Sequence, residues 1–275
     1  SAASDVYKRQ IMTTSRLSNN NMVVFAGGYD GEMVEIINIC REAGVEIFDK
    51  HLGWGAAASA YSEEIAAAVS EDKQVVLIEL ALDIELPETA IVVDHHNEMS
   101  DRPASILQVL DLLGLKATRW QQLVAANDCG YIPAMLSMGA TPEEVAAVRL
   151  ADRSAQGITP EQEAEAERAL GCREVINGVT VVRMSHSKTA TVADRLFDPE
   201  KEQRLLILSG DGESNFFGKK ELCLLLQGEK TGKTAEGWDT YSHFGGWTGG
   251  GETTGFWGGY ANQDEVLDFV VKYFA

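Results

Sequence analysis

The chain has 275 residues, 45% of them hydrophobic, which is enough to bury one large core or two modest ones. Its 42 acidic residues outnumber the 23 lysines and arginines, and a net charge of -19 disfavours long nucleic acid as a partner. No apolar run approaches the roughly 18 residues that cross a bilayer, so we expect no membrane segment.

The cysteines are scattered along the chain. Cys40, Cys129, Cys172 and Cys223 form no C-x-x-C pair, so neither a zinc site nor a disulfide framework is indicated. We therefore expect a cytoplasmic protein. Residues 1–20 are expected to be a disordered or extraneous N-terminal segment that takes no part in the fold.

A first buried strand is predicted at residues 22–26, MVVFA, and two glycines end it. Asp30 and Glu32 follow at once. Two carboxylates at the end of a strand are candidate metal ligands. Acids are also common at helix N-termini because they interact favourably with the helix dipole, so both interpretations stay open.

Helices and strands then alternate, with helices at 33–43 and 56–69 and strands at 45–48 and 74–80. This alternation predicts an α/β fold with a parallel sheet. Glu79 lies at the end of the predicted strand 74–80. Because parallel strands point their carboxyl ends at one edge of the sheet, we expect the acids that follow each strand to converge there.

The stretch 90–97, AIVVDHHN, is the most informative in the chain. A short β-branched run predicts a buried strand, and Asp94, His95 and His96 follow where it ends. An acid with two imidazoles can hold a divalent cation, orient a ligand and contact an anionic substrate. The alternative is a polar turn without a ligand.

Two further helices are predicted next, at 103–113 and 119–126. The second leads into Asp128, for which a helix-terminal cap is one interpretation. Thr-Pro pairs start two more helices, at 142–151 and 160–170.

A change from acidic helix to alternating β pattern at 171–174 predicts a domain boundary. We expect a catalytic domain at 21–155, a helical linker at 156–173 and a smaller mixed α/β domain at 174–275.

Within this second domain, Asn177-Gly178 predicts a hairpin. His186 lies in a polar segment and is a candidate substrate contact, although a plain surface role is the alternative. Further predictions are strands at 205–208 and 222–226, a glycine-rich and tryptophan-rich loop at 245–259 and a final helix at 263–274.

Asp94-His95-His96, followed by Asn97-Glu98, Arg102-Pro103-Ala104 and a helix, resembles the signature of the DHH phosphoesterases. The resemblance covers roughly residues 22–150 as the catalytic domain and, more weakly, 175–275 as the associated substrate domain. It implies a parallel-sheet catalytic domain with helices on both faces.

The resemblance also implies roles for individual residues. The implied metal ligands are Asp30, Glu32, Glu79, Asp94, His95 and Asp128. The implied catalytic residues are His96 and Asp94, and the implied substrate-binding residues are Gly249, Gly250 and Gly251. The chain departs from the family pattern at Ala26, where a histidine is usual, and at Glu32 and Glu79, where aspartates are usual.

We therefore expect a Mn²⁺-dependent or Mg²⁺-dependent phosphoric ester hydrolase that uses one or two ions. Water activated by the metal would attack a small phosphorylated or nucleotide substrate. Two alternatives stay open: a catalytically altered binding module for a nucleotide or phosphometabolite, and an enzyme whose changed ligand set supports another reaction. The oligomeric state, including a homo-oligomer, is open.

Overall fold

A computed structural model describes residues 21–275 and divides the chain into two compact units between Gly157 and Ile158. The predicted N-terminal segment 1–20 lies outside the described residues. No helix in the described part of the chain is long and apolar enough to cross a membrane.

The first unit contains a four-stranded parallel sheet with the order β2-β1-β3-β4. Its strands are β1 (Met22–Ala26), β2 (Glu46–Phe48), β3 (Gln74–Ile78) and β4 (Ile91–Val93). Its α-helices are α1 (Gly31–Glu42), α2 (Ser62–Ser70), α3 (Ser105–Leu112), α4 (Arg119–Ser137) and α5 (Pro142–Ala155), with 3-10 helices at Ala58–Tyr61 and Asn97–Met99. The predicted α/β architecture is confirmed.

Both faces of this sheet are buried. Side chains alternate between the faces of a strand, and Val23 and Phe25 form one hydrophobic cluster with Ile65 of α2. The intervening Val24 is equally buried and so faces the other side. This explains why β1 is an unbroken apolar run.

The register of the parallel strands aligns their carboxyl ends. Ala26 pairs with Ile78, and Ile78 pairs with Val93, so β1, β3 and β4 end level with one another. The residues that follow these three strands therefore leave the sheet at one common edge.

The second unit contains a six-stranded mixed sheet with the order β11-β12-β8-β7-β6-β5. These strands are β5 (Glu174–Ile176), β6 (Val179–Met184), β7 (Leu205–Ser209), β8 (Ser214–Lys219), β11 (Trp247–Gly250) and β12 (Thr254–Gly259), and a separate hairpin joins β9 (Lys230–Lys233) to β10 (Asp239–Tyr241). Its helices are α6 (Pro160–Gly171), α7 (Ala190–Ala193), α8 (Lys220–Gln227) and α9 (Gln263–Tyr273).

Two predicted elements of the second unit differ from the structure. Residues 222–226, predicted as a strand, belong to α8, where Leu222, Cys223 and Leu226 are buried while Leu224 is half exposed. This is helical rather than alternating periodicity. Residues 245–259, predicted as a loop, contain the antiparallel strands β11 and β12.

Helix α6, predicted as part of a linker, packs within the second unit. Its Ala166 is fully buried in a cluster with Val182 and Ile207 of the sheet. The segment is therefore a packed layer of this unit. The hairpin predicted at Asn177-Gly178 is present, and both residues have the positive φ angles (50° and 79°) that a tight hairpin turn requires.

Candidate metal centre

Three carboxylates surround one imidazole nitrogen at the carboxyl edge of the parallel sheet. Nε2 of His95 lies 2.7 Å from Oδ2 of Asp128, 3.4 Å from Oε2 of Glu32 and 3.5 Å from Oε1 of Glu79. Ninety-six positions of sequence separate Glu32 from Asp128, so the fold alone brings these groups together.

The four converging atoms are buried and lack hydrogen-bond partners of acceptable geometry among the described residues. The Glu32 side chain is only 1% exposed, and that of His95 is 6% exposed. A buried carboxylate oxygen without a partner is costly, and three such oxygens face a single imidazole. A bound divalent cation would satisfy all four atoms at once, so the donor set fits a metal ion.

The protonation equilibria reflect this crowding. Burial raises the pKa of Glu32, and His95 offsets that effect only in part. Burial opposes the charged form of His95, but Asp128, Cys129, Glu32 and Glu79 outweigh it and raise the pKa of His95 well above its usual value. The metal-free cluster therefore retains protons that a cation would displace.

Glu32 lies in the first turn of α1, and its other oxygen is already engaged. Oε1 accepts a hydrogen bond from the backbone N–H of Ile106 at 3.0 Å, near the start of α3, where N–H groups have no partner within the helix. This bond fixes the carboxylate and leaves Oε2 directed toward His95. The same carboxylate thus caps one helix and contributes to the site.

Glu79 leaves β3 with a φ angle of 52°, a left-handed conformation that is unusual for glutamate. Burial opposes ionisation of Glu79, but contacts with His95, Ser105 and Glu32 together outweigh it, and the pKa of Glu79 is lowered. Gly27 lies against this turn, and a Cβ there would lie 2.5 Å from the carbonyl oxygen of Ile78. Glycine therefore allows the two strand ends to approach.

Asp128 lies just before a break in α4. Gly130 and Tyr131 have non-helical backbone angles, and Tyr131 has φ 58° and ψ -154°. The guanidinium of Arg149 lies 4.7 Å from the centre of the Tyr131 ring and donates to Oδ1 of Asn127 at 2.9 Å. These contacts hold the residues on both sides of Asp128, so its carboxylate is positioned by the fold. Strained backbone of this kind often occurs at functional sites.

Asp30 adopts the helix-capping role that the sequence left open. Its Oδ1 accepts a hydrogen bond from Met33 N–H at 2.9 Å, at the start of α1. Burial, together with the charges of Asp128, Glu79 and Asp152, raises its pKa from 3.8 to about 7. The charges of the cluster therefore contribute to the raised pKa of Asp30, although Asp30 is not among the carboxylates that contact His95.

This shift predicts a pH dependence for the metal-free protein. The folded state holds a proton on Asp30 between about pH 4 and 7 that the unfolded chain releases, so stability falls as pH rises through this window. Asp30→Asn preserves a capping oxygen, and we expect thermal melts of this variant to decline less steeply with pH. If the melting temperatures of the variant and of the unchanged protein fall equally with pH, the proton held by Asp30 is not the cause of the pH dependence.

Asp94 orients His96 and does not face Nε2 of His95. Its Oδ1 accepts a hydrogen bond from the backbone N–H of His96 at 2.8 Å and lies 3.0 Å from the imidazole Nδ1. The two imidazole rings are 4.2 Å apart, and ligand atoms of Glu79, His95 and His96 lie within 4.8 Å of one another. His96 is therefore held beside the cluster with its other nitrogen unconstrained by Asp94.

A cavity of about 140 Å³ adjoins these residues, and its lining includes Glu79, Asp94 and His96. Trp54 forms part of the wall, is 78% exposed, and meets the His96 ring edge-on at 5.6 Å. The cavity is large enough for a small polar group beside the imidazole. Its position at the carboxyl edge of the sheet is the usual one for ligands in α/β proteins.

The predicted substrate residues of the second unit lie in ordinary structural settings. Gly249 and Gly250 belong to β11, and Gly251 follows in the turn to β12. Nδ1 of His186 accepts a hydrogen bond from the backbone N–H of Lys188 at 3.2 Å, and Nε2 lies 3.9 Å from a Glu165 oxygen. Their part in substrate binding stays a prediction.

The sequence patterns do not predict Trp54 or Cys129 at this site. Trp54 lies in a segment without a motif, and cysteine spacing alone excludes Cys129 because no second cysteine is near. The adjacency of Cys129 to Asp128 is the one signal that could have indicated it. In the structure, its Sγ lies 3.7 Å from Nδ1 of His95.

Comparison with known proteins adds no family assignment. No protein-family model matches the chain, and no curated protein matches it significantly. The geometry of this cluster and the residues that form it are therefore the basis for a functional proposal.

Proposed function

We propose that this protein is a metal-dependent phosphoesterase of the DHH type that hydrolyses a small phosphorylated or nucleotide substrate. One observation carries the proposal: four buried atoms, from Glu32, Glu79, His95 and Asp128, converge without hydrogen-bond partners among the described residues. A site built from carboxylates and imidazole suits Mn²⁺ or Mg²⁺.

The residues divide the chemistry between them. Glu32, Glu79, His95 and Asp128 would hold one or two ions, with Asp30 and Asp94 as further carboxylates nearby. Bound ions supply positive charge that activates water and offsets the charge of a phosphoryl group. The chain has a net charge of -19, so the charge of bound ions would favour phosphate binding where the protein's overall charge opposes it.

His96 is the residue best placed to contact the substrate. Its side chain is 30% exposed, Asp94 fixes its orientation, and it lines the adjoining cavity. In this position it would bind a phosphoryl oxygen or donate a proton to the leaving group. The cavity favours a small substrate over a polymer, in accord with the acidic charge of the chain.

A second candidate function is a binding module for a nucleotide or phosphometabolite without catalysis. The observation that favours it is Ala26, which is 1% exposed at the end of β1 and offers no ligand where the family has a histidine. A set with one fewer imidazole could bind an ion and an anion without turnover. For either function we propose a cytoplasmic location, which the four unpaired thiols favour.

Hydrolysis assays separate the two functions. The metal-free protein is supplied with Mn²⁺, Mg²⁺ or Co²⁺ and tested with pyrophosphate, mononucleotides, dinucleotides and sugar phosphates. We expect Mn²⁺-dependent turnover. His96→Ala should lower kcat about 100-fold while changing the Mn²⁺ dissociation constant little, because this imidazole acts on substrate.

The matched control is His51→Ala, which removes an exposed imidazole of the same unit; this ring contacts Tyr29 and lies 3.7 Å from Oδ2 of Asp49. Its kcat should be unchanged. Mn²⁺ binding and phosphate binding without turnover would favour the binding module. A protein that binds no divalent ion would contradict both functions.

A further inference from the structure

A thiol lies close to Nδ1 of His95, whereas Nε2 is the ring nitrogen that Asp128, Glu32 and Glu79 surround. Sγ of Cys129 is 3.7 Å from Nδ1 of His95, whereas Nε2 of the same ring faces Asp128 at 2.7 Å. One ligand atom from each of His95, Asp128 and Cys129 lies within 4.8 Å of the other two. The three residues thus form a mixed sulfur, nitrogen and oxygen group.

The separation of sulfur and nitrogen matches that of two ligands on one tetrahedral ion. Zinc lies about 2.3 Å from thiolate sulfur and about 2.0 Å from imidazole nitrogen, which at a tetrahedral angle places the two ligand atoms about 3.5 Å apart. The observed 3.7 Å needs almost no movement of either side chain. His95 itself is 8% exposed, so its ring is held in place by packing.

We propose that Cys129, Nδ1 of His95 and Asp128 form a binding site for Zn²⁺, which shares His95 and Asp128 with the carboxylate cluster and differs from it by the thiol and by the imidazole nitrogen used. Thiolate and imidazole ligands suit zinc, whereas the carboxylate-rich cluster suits harder ions. Three protein ligands leave the fourth tetrahedral position for water. Cys129 is exposed, so zinc can reach the site from solvent, and binding releases the thiol proton to that solvent.

The shared imidazole makes the two sites compete. A neutral imidazole carries one proton and offers one lone pair, so Nδ1 can bind zinc only when the proton is on Nε2. A protonated Nε2 no longer offers a lone pair to an ion held by the carboxylates. Zinc at Cys129 would therefore lower the affinity for Mn²⁺ and, on the proposed function, inhibit hydrolysis.

Binding is tested first without any assay of activity. Co²⁺ replaces zinc in such sites, and a thiolate ligand gives it an intense charge-transfer absorption in the near ultraviolet. We expect this absorption band to appear when Co²⁺ is added to the metal-free protein and to saturate at one equivalent of Co²⁺ per chain. Adding Zn²⁺ should displace the Co²⁺ and remove the band. Cys129→Ser should remove the band, and Cys129→Ala should do the same if both variants keep the native circular dichroism spectrum.

Cys172→Ser is the matched control, because Cys172 is the other exposed thiol whereas Cys40 and Cys223 are buried. Its band should be unchanged. If no band forms, or if the band survives in Cys129→Ser, the 3.7 Å contact is a thiol–imidazole hydrogen bond alone and the site does not exist.

Inhibition is tested separately on the Mn²⁺-loaded protein. Zn²⁺ should abolish hydrolysis by the unsubstituted chain, and Cys129→Ser should need at least tenfold more Zn²⁺ for the same loss. Equal sensitivity would overturn the competition. If the protein shows no hydrolysis at all, the proposed function fails while the cobalt band still decides the zinc site.

Discussion

Replacing His95 by alanine should weaken Mn²⁺ binding more than about 100-fold, because loss of a ligand should exceed the 10-fold to 100-fold effect typical of outer-shell partners. Mn²⁺-dependent hydrolysis should fall with it. The physical reason is that Nε2 is the only nitrogen among the four buried atoms that converge at the site. Isothermal titration with Mn²⁺, followed by phosphoester assays over a range of Mn²⁺ concentrations, measures both effects.

His243→Ala serves as the control, since this exposed imidazole belongs to the second unit and contacts Phe269. It should leave Mn²⁺ affinity unchanged. Retention of Mn²⁺ affinity in His95→Ala would show that the carboxylates bind the ion elsewhere, and the proposed centre would have to be abandoned. Loss of affinity in both variants would indicate a nonspecific effect and would equally count against it.

Replacing Gly27 by alanine should destabilise the first unit by about 3 kcal/mol, the upper part of the range for overpacking a close-packed site. The added Cβ would collide with the carbonyl oxygens of Ile78 and Glu79, which are backbone atoms and cannot rotate away. The ends of β1 and β3 would have to separate. Because Glu79 follows β3 directly, Mn²⁺ affinity should fall as well.

Thermal unfolding should show this loss as a decrease of roughly 6–12 °C in the transition of the first unit. Gly53→Ala is the control in the same unit, because a Cβ there meets nothing within 4 Å. Its stability should change by less than about 0.5 kcal/mol. A Gly27→Ala protein as stable as Gly53→Ala would mean that the strand ends are not in close contact.

The first unit was predictable because its local patterns agree with its tertiary structure. Buried parallel strands need apolar side chains on both faces, so 22–26 and 75–78 appear in the sequence as unbroken apolar runs. Glycines and capping residues mark the ends of helices such as α1 and α5. These signals are local and therefore visible before folding.

The second unit was predicted less well where local signals conflict. The run at 222–226 contains five consecutive apolar residues, which fit a strand and a buried helix equally. Only the packing decides: Leu222 and Leu226 contact the sheet cluster, while Leu224 faces solvent. The glycines at 249–251 suggested a loop, yet cross-strand pairing with β12 makes most of that segment a strand.

The sequence by itself determined the α/β class, and its local patterns together with the resemblance to the DHH signature indicated six candidate ligands, among them Glu32, Glu79, His95 and Asp128. Only the tertiary structure decided that these four converge, that Asp30 caps a helix and that Asp94 orients His96. It also placed Cys129 against His95. Distances between residues far apart in sequence depend on strand register and helix packing, and neither is encoded in any single segment.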